Sequence, residues 1–325
     1  MTRAWKIFLL FRLPLAVLVL ALLVEAGALL LAESPKLRHP LDRLVANMDR
    51  VSANADVILL GDSVTQDVVG HYDITASNSV ANLTTNQASG MIGAYFLLRR
   101  YMQKNKPPRR LVIASTPEFF AYSPVSPTIE IYLASVFRTE AERADLKTAG
   151  IPLKARRWKP AILDIEGRIF DRLLGWLFAK ATTVGPALSP LAADPNLEGV
   201  GGNEIAPMKL RGRRDTVLEL SQDALFAVDR ICALSRQYKF PVQIVWAPVP
   251  ESVYRSWAAD GRLNRLTRSL RSVVEPNCHG AVFADVNRDR SFPDYAFRDP
   301  DHLRRPGWAT LYGLILRNML ATSSR

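Results

Sequence analysis

Apolar and polar positions fall into two regimes along this chain, an unbroken apolar stretch near the start and short apolar runs alternating with helical stripes after it. Leu13 to Val24 carries no charge, Glu25 interrupts, and Ala26 to Ala32 resumes the apolar run. A bilayer core needs about 20 apolar residues as a helix, and Leu13 to Ala32 supplies that length. Arg3, Lys6 and Arg12 precede it, which predicts a cytoplasmic N-terminus and a body outside the membrane, in a periplasm if the envelope has one. The small residues of Glu25-Ala26-Gly27-Ala28 also fit the end of a cleaved signal peptide. An uncleaved anchor over residues 1–34 is the preferred expectation. A polar connector over 35–54 follows.

Beyond the connector the pattern changes period. Val57 to Leu60 is a short continuous apolar run, the form of a buried parallel strand, and Ser79 to Leu83, Leu111 to Ala114, Val242 to Trp246 and Ala281 to Val286 are mainly apolar stretches read as four more strands. Between them lie stripes at helical spacing. Met91, Ile92, Tyr95, Phe96, Leu98 and Met102 form one, closed by Pro107-Pro108. Val217 through Leu234, Leu263 to Val274 and Gly307 to Leu320 supply three more. Strands alternating with helices predict an α/β fold over 55–325 with a doubly wound parallel sheet. The alternation lapses over about 124–214, where helical stretches (Ile131 to Ala149, Ile162 to Ala181) precede a Gly-, Pro- and Asn-rich loop (Gly185 to Asn203). This reads as an insertion over the carboxyl edge of the sheet, where α/β folds place their sites. Its stripe from Ile165 to Phe178 is expected to pack on the domain.

Composition narrows the picture. With 48% hydrophobic and 22% charged residues the chain has material for a core. Lys and Arg exceed Asp and Glu by 42 to 31, a formal charge of +11. No zinc-finger spacing, RNP-like aromatic cluster or long basic run accompanies that charge, so nucleic acid is not expected as a partner. For an anchored chain, anionic lipid headgroups account for the basic surplus. Two cysteines, Cys232 and Cys278, are too few for a metal cluster, and no metal or cofactor is expected. They read either as a single bridge or as two buried thiols.

The chemistry-bearing residues sit at strand ends. In Leu59-Leu60-Gly61-Asp62-Ser63-Val64 a serine follows a buried strand, at the sheet edge, where its own backbone N–H can stabilise an oxyanion. A serine hydroxyl needs a nearby base. The chain has four histidines, His39, His71, His279 and His302. His39 lies beside the anchor and His279 in a polar turn. His302, in Phe297-Arg298-Asp299-Pro300-Asp301-His302-Leu303, follows the last strand and so falls at the edge that Ser63 occupies.

These two segments resemble the SGNH/GDSL hydrolase superfamily: Gly61-Asp62-Ser63 near the start of the domain and Asp299-x-x-His302-Leu303 near its end. The resemblance implies a flavodoxin-like three-layer sandwich with Ser63 as nucleophile, His302 as general base and Asp299 as its orienter. The family's Gly-x-Asn-Asp block is replaced by Ser115-Thr116-Pro117-Glu118, and its oxyanion glycine by Thr84-Thr85-Asn86-Gln87. Asn86 is the candidate side-chain oxyanion donor, with helix capping as its plain alternative. These departures look like membrane-anchored relatives that handle acyl groups on surface glycans.

Two function classes follow. One is an enzyme acting on O-acyl esters, acetyl foremost, of a cell-surface glycan, with a multi-pass membrane protein as a potential acyl donor. Hydrolysis and transfer both remain open within it. The other is a non-catalytic scaffold of a membrane assembly that modifies envelope polysaccharide. The Ser63, His302 and Asp299 set favours the enzyme, and the missing Asn-Asp block favours the scaffold.

Overall fold

A computed structural model of the chain describes residues 8–32, 53–69, 79–85, 89–124, 136–151 and 207–321, with single residues 5, 45, 51 and 133. These belong to two units. The first holds a π-helical turn (Phe8–Arg12) running into α1 (Leu13–Ala32). Over Leu10–Gly27 the mean hydropathy is 2.1 and no residue is buried. Twenty residues at a rise of about 1.5 Å match the hydrocarbon thickness of a bilayer, so α1 is long and apolar enough to span one.

The second unit is an α/β body around a five-stranded sheet: β1 (Val57–Gly61), β2 (Val80–Asn82), β3 (Arg110–Ser115), β4 (Val242–Trp246) and β5 (Val282–Asp285). Every pairing is parallel and the order is β2-β1-β3-β4-β5. All five strands coincide with the apolar runs in the sequence. β5, at the sheet edge, is more open, with Val282 53% exposed, but the three central strands are buried on both faces: Ile58, Leu59, Leu60, Leu111, Val112, Ala114, Ile244 and Val245 are fully enclosed. Parallel strands have no solvent face to alternate toward.

Helices fill the connections: α2 (Ser63–Val69), α3 (Gly90–Lys104), α4 (Glu118–Ala121), α5 (Glu140–Thr148), α6 (Pro207–Arg214), α7 (Gln222–Tyr238), α8 (Glu251–Ala259), α9 (Arg262–Asn277), α10 (Val286–Asp289) and α11 (Gly307–Ala321). Helix α7 packs against α3 and α9, and α11 packs against α2. Arg110, buried at the start of β3, donates to the carbonyls of Met319 and Leu320 at 3.0 and 2.7 Å and so closes the C-terminal end of α11.

Two helix boundaries differ from the sequence expectation. Within the stretch expected as helix from Ile131 to Ala149, residues 136–139 are not helical and α5 starts at Glu140, where Thr139 and Glu142 form a capping box that fixes the start. The stripe expected from Val217 begins at Gln222. Ser221 caps that helix through the Ala224 amide at 3.3 Å, and Val217 lies outside it, 66% exposed. The stretches from Ile162 to Ala181 and from Gly185 to Asn203 lie outside the described residues, as does most of the connector over 35–54.

Cys232 of α7 and Cys278, at the C-cap of α9, form a disulfide. Of the two readings open in the sequence, the bridge holds. It closes a loop across 46 positions, enclosing β4, α8 and α9. Loop-closure entropy puts its contribution at up to about 4 kcal/mol. Replacing both cysteines by serine is therefore expected to lower the unfolding free energy by about 2–4 kcal/mol, read as a lower denaturant midpoint. A loss under about 1 kcal/mol would mean that the loop is already held by its packing.

Candidate active site

The strand order reverses at β1: one chain connection leaves toward β2 and the next returns to β3 on its other side. The carboxyl ends of β1 and β3 thus diverge, which opens the crevice where sheets of this kind bind ligands. Gly61 ends β1 because nothing larger fits. A Cβ there would lie 2.2 Å from the carbonyl oxygen of Ala114 on β3.

Asp62 follows, almost wholly buried at 1% exposure. One oxygen accepts from the Thr116 amide at 2.7 Å and the Thr116 hydroxyl at 2.8 Å. The other accepts from the amides of Val64 at 3.1 Å and Thr65 at 3.4 Å, at the first turn of α2. Burial pushes the Asp62 carboxyl above its ordinary range, and the bonds from Thr116 and Thr65 oppose that shift. Asp62 is thus a staple between the exits of β1 and β3, a role its place in the motif did not suggest.

Ser63 is the first residue of α2 and is half-buried. With the Val64 and Thr65 amides turned to Asp62, the Ser63 amide has no acceptor among the described residues. Gln66 and Asp67 lie three and four residues on, and so share the helix face of Ser63. The Gln66 side-chain amide donates to the Thr84 carbonyl at 3.3 Å, tying α2 to the exit of β2.

After β5 the chain leads through α10 and a 3₁₀ turn (Asp294–Ala296) to a loop pinched by the antiparallel bridge between Phe297 and Leu303. Within it, Asp299 Oδ1 accepts from the backbone amides of Asp301 and His302, each at 2.9 Å. His302 Nδ1 lies 2.9 Å from Asp299 Oδ1 and 3.1 Å from Oδ2. Burial works to raise the Asp299 carboxyl, but the bonds from Asp301 and His302 together outweigh it and hold it below the ordinary carboxylate range. A depressed pKa means that its hold on the loop is present above the usual carboxylate range and is lost only as pH falls through the lowered value.

Helix α2 is tied to this loop. Arg298 Nη2 reaches Asp67 Oδ1 at 3.0 Å, and Arg305 pairs with the same oxygen. Since Asp67 shares its helix face with Ser63, both arginines draw the His302 loop toward that face. No hydrogen bond joins Ser63 to His302 among the described residues, and the Nε2 of His302 is without a partner there.

No family model matches the chain, and no curated protein matches it.

Of the residues singled out in the sequence, Asp299 and His302 are in contact, and Ser63 stands on the helix to which their loop is tied. Asn86 lies outside the described residues, as do His39 and His71. His279, at the turn after α9, is remote from this loop in sequence and donates its backbone amide to Ser235. The Asp301 carboxylate pairs with Arg213 of α6 at 3.2 Å while keeping 48% of its side-chain surface exposed. At the exits of β2 and β3, Thr116 bonds Asp62 through its amide and hydroxyl, the Thr84 hydroxyl bonds Asn82 at 2.7 Å, and the Thr85 amide bonds the Gly61 carbonyl at 3.0 Å. Among the described residues no group of His, Cys, Asp and Glu is arranged to hold a metal ion.

Proposed function

We propose that the chain is a membrane-tethered serine esterase or O-acyltransferase of the SGNH/GDSL type, built as a three-layer sandwich and acting outside the cytoplasm on O-acyl groups of a cell-surface polysaccharide. The observation that carries this reading is the Asp299–His302 pair, on a loop bound through Asp67 to the helix that Ser63 begins. With Nδ1–H donated to Asp299, the imidazole keeps Nε2 unprotonated, the tautomer a general base requires.

In the proposed reaction Ser63 Oγ attacks the ester carbonyl as its proton passes to His302 Nε2. Collapse of the tetrahedral intermediate breaks the bond to the sugar oxygen, which leaves with the proton from His302. An acyl-Ser63 ester remains. Water or a second sugar hydroxyl then gives its proton to Nε2 and attacks the acyl carbon, and Ser63 recovers the proton as it departs. Hydrolysis and transfer differ only in that acceptor. Asp299 stays ionised throughout, and the Ser63 amide is one donor available to the oxyanion. Acetyl is the favoured acyl group, and a multi-pass membrane protein that delivers acyl groups is the partner a transferase would need.

One observation favours the scaffold reading instead: the Thr116 amide and hydroxyl already bond Asp62, and the Thr84 hydroxyl bonds Asn82, so these donors are not directed at an oxyanion. Fluorophosphonate labelling of the detergent-solubilised chain separates the two readings, since it requires an activated serine. Modification at Ser63 supports the enzyme, and an unmodified Ser63 under forcing conditions supports the scaffold.

Location outside the cytoplasm draws support from the basic residues before α1 and from the disulfide, which persists in oxidising compartments. Alkaline phosphatase fused after Asn54 is expected to be active. An inactive fusion would put the domain in the cytoplasm and overturn the surface-glycan assignment.

A further inference from the structure

Helix α6 carries Lys209, Arg211, Arg213 and Arg214 in eight residues, and one of these cations turns inward. The Arg213 side chain is 7% exposed. Removing a guanidinium from water is costly unless its donors are matched, and here each nitrogen has a partner. Nε donates to Glu118 Oε1 at 2.5 Å and Nη2 to Glu118 Oε2 at 3.2 Å, a two-pronged pair. Nη1 donates to the carbonyl of Pro300 and lies 3.2 Å from Asp301 Oδ1. The indole of Trp257, on α8, lies beneath the guanidinium with 5.8 Å to the ring centre.

Glu118 and Pro300 belong to different parts of the candidate site. Glu118, itself 7% exposed, opens α4 just past Thr116, the residue that Asp62 holds. Pro300 and Asp301 lie between Asp299 and His302. The turn over 299–302 is shaped internally by Asp299, which bonds the amides of Asp301 and His302. Its distance from α2 is set by Asp67. Arg213 supplies a different restraint, fixing the turn against the exit of β3.

We propose that Arg213, oriented by Glu118, is a positioning residue that holds the Asp299–His302 turn at the height above the sheet where Nε2 serves Ser63. The inference rests on the reading of His302 as base. Lysine cannot replace the arrangement in full, because a single ammonium cannot span a carboxylate on one side and a carbonyl on the other.

The test uses the full-length chain in detergent and two readouts: hydrogen exchange of amides 298–304, and the kinetics of fluorophosphonate labelling at Ser63. Arg213→Met strands Glu118 and risks misfolding, so the informative variant is Arg213→Met with Glu118→Leu, in which an apolar pair replaces the buried charges. Arg255→Met, on an exposed cation of α8, is the control. In the double variant we expect loop exchange to speed up about tenfold or more while β1, β3 and β4 keep their protection. The maximal labelling rate should drop about 100-fold, the order expected for a misplaced catalytic group, with probe affinity retained. Arg213→Lys should recover part of that rate.

Unchanged loop exchange in the double variant would overturn the proposal. So would a loss of protection spread over the strands, which would assign the ion pair to global stability. If the loop loosens but the wild-type chain is never labelled, the positioning role stands and the serine-base reading fails. If the wild type and the double variant label at equal rates, the serine-base reading stands and the positioning role fails.

Discussion

Alanine at Ser63, or at His302, is expected to lower turnover of a chromogenic acetyl ester by about six orders of magnitude, to the level of binding and oxyanion stabilisation alone. Among the described residues, Ser63→Ala removes no side-chain bond, and His302→Ala removes only the ring contact to Asp299. Ser63 is half-buried and its side chain makes no hydrogen bond among the described residues, while Asp62 supplies the cap for α2. The His302 amide bond to Asp299 belongs to the backbone and survives truncation. Melting temperatures should therefore stay close to that of the parent chain. Nucleophile and base act on the same proton, so the double variant should be little worse than either single one. Ester turnover retained in either variant would reject the assignment, as would losses that multiply.

The second large effect separates the two carboxylates beside the base. Asp299→Asn places an amide where Nδ1 now meets two acceptor oxygens at 2.9 and 3.1 Å. The ring then no longer has a strong reason to keep its proton on Nδ1. Turnover should fall by orders of magnitude, with about 10⁴-fold as the guide for an orienting carboxylate. Asp301→Asn removes only a half-exposed partner of Arg213, which keeps Glu118 and the Pro300 carbonyl. That change should cost about tenfold or less. A larger loss from Asp301→Asn would mean that the Arg213 contact, and not the tautomer, limits the reaction.

The strands were legible because each is mainly apolar, the pattern that burial on both faces demands of the central strands, and Asn82, Gln243 and Asp285 interrupt it in β2, β4 and β5 without hiding it. Gly61-Asp62-Ser63 and Asp299-x-x-His302 were legible because local order along the chain places them at one edge. Helix α8 was not. Pro248 and Pro250 read as stops for β4, but Pro250 also sits at the N-cap of α8, where its missing N–H costs nothing. The ties that hold the site together were invisible for a different reason. Asp67 and Arg298 are 231 positions apart, and Glu118 and Arg213 are 95 apart. Side-chain pairing at such separations leaves no periodicity and no spacing to detect. The nearest local clue was Asp67 itself, four residues after the candidate nucleophile.

The staple at Asp62 bears on how enzyme and scaffold relate. Gly61 is required by the close approach of the Ala114 carbonyl, and Asp62 by four donors that converge from two loops. Both demands are architectural and neither involves an ester. Ser63 alone of the three answers to chemistry. A copy of this chain without any catalytic role would therefore still be compelled to keep the glycine and the aspartate. On the proposed reading, catalysis and inert binding would thus share one frame, and the glycine and aspartate of the motif say nothing about which of them a chain performs.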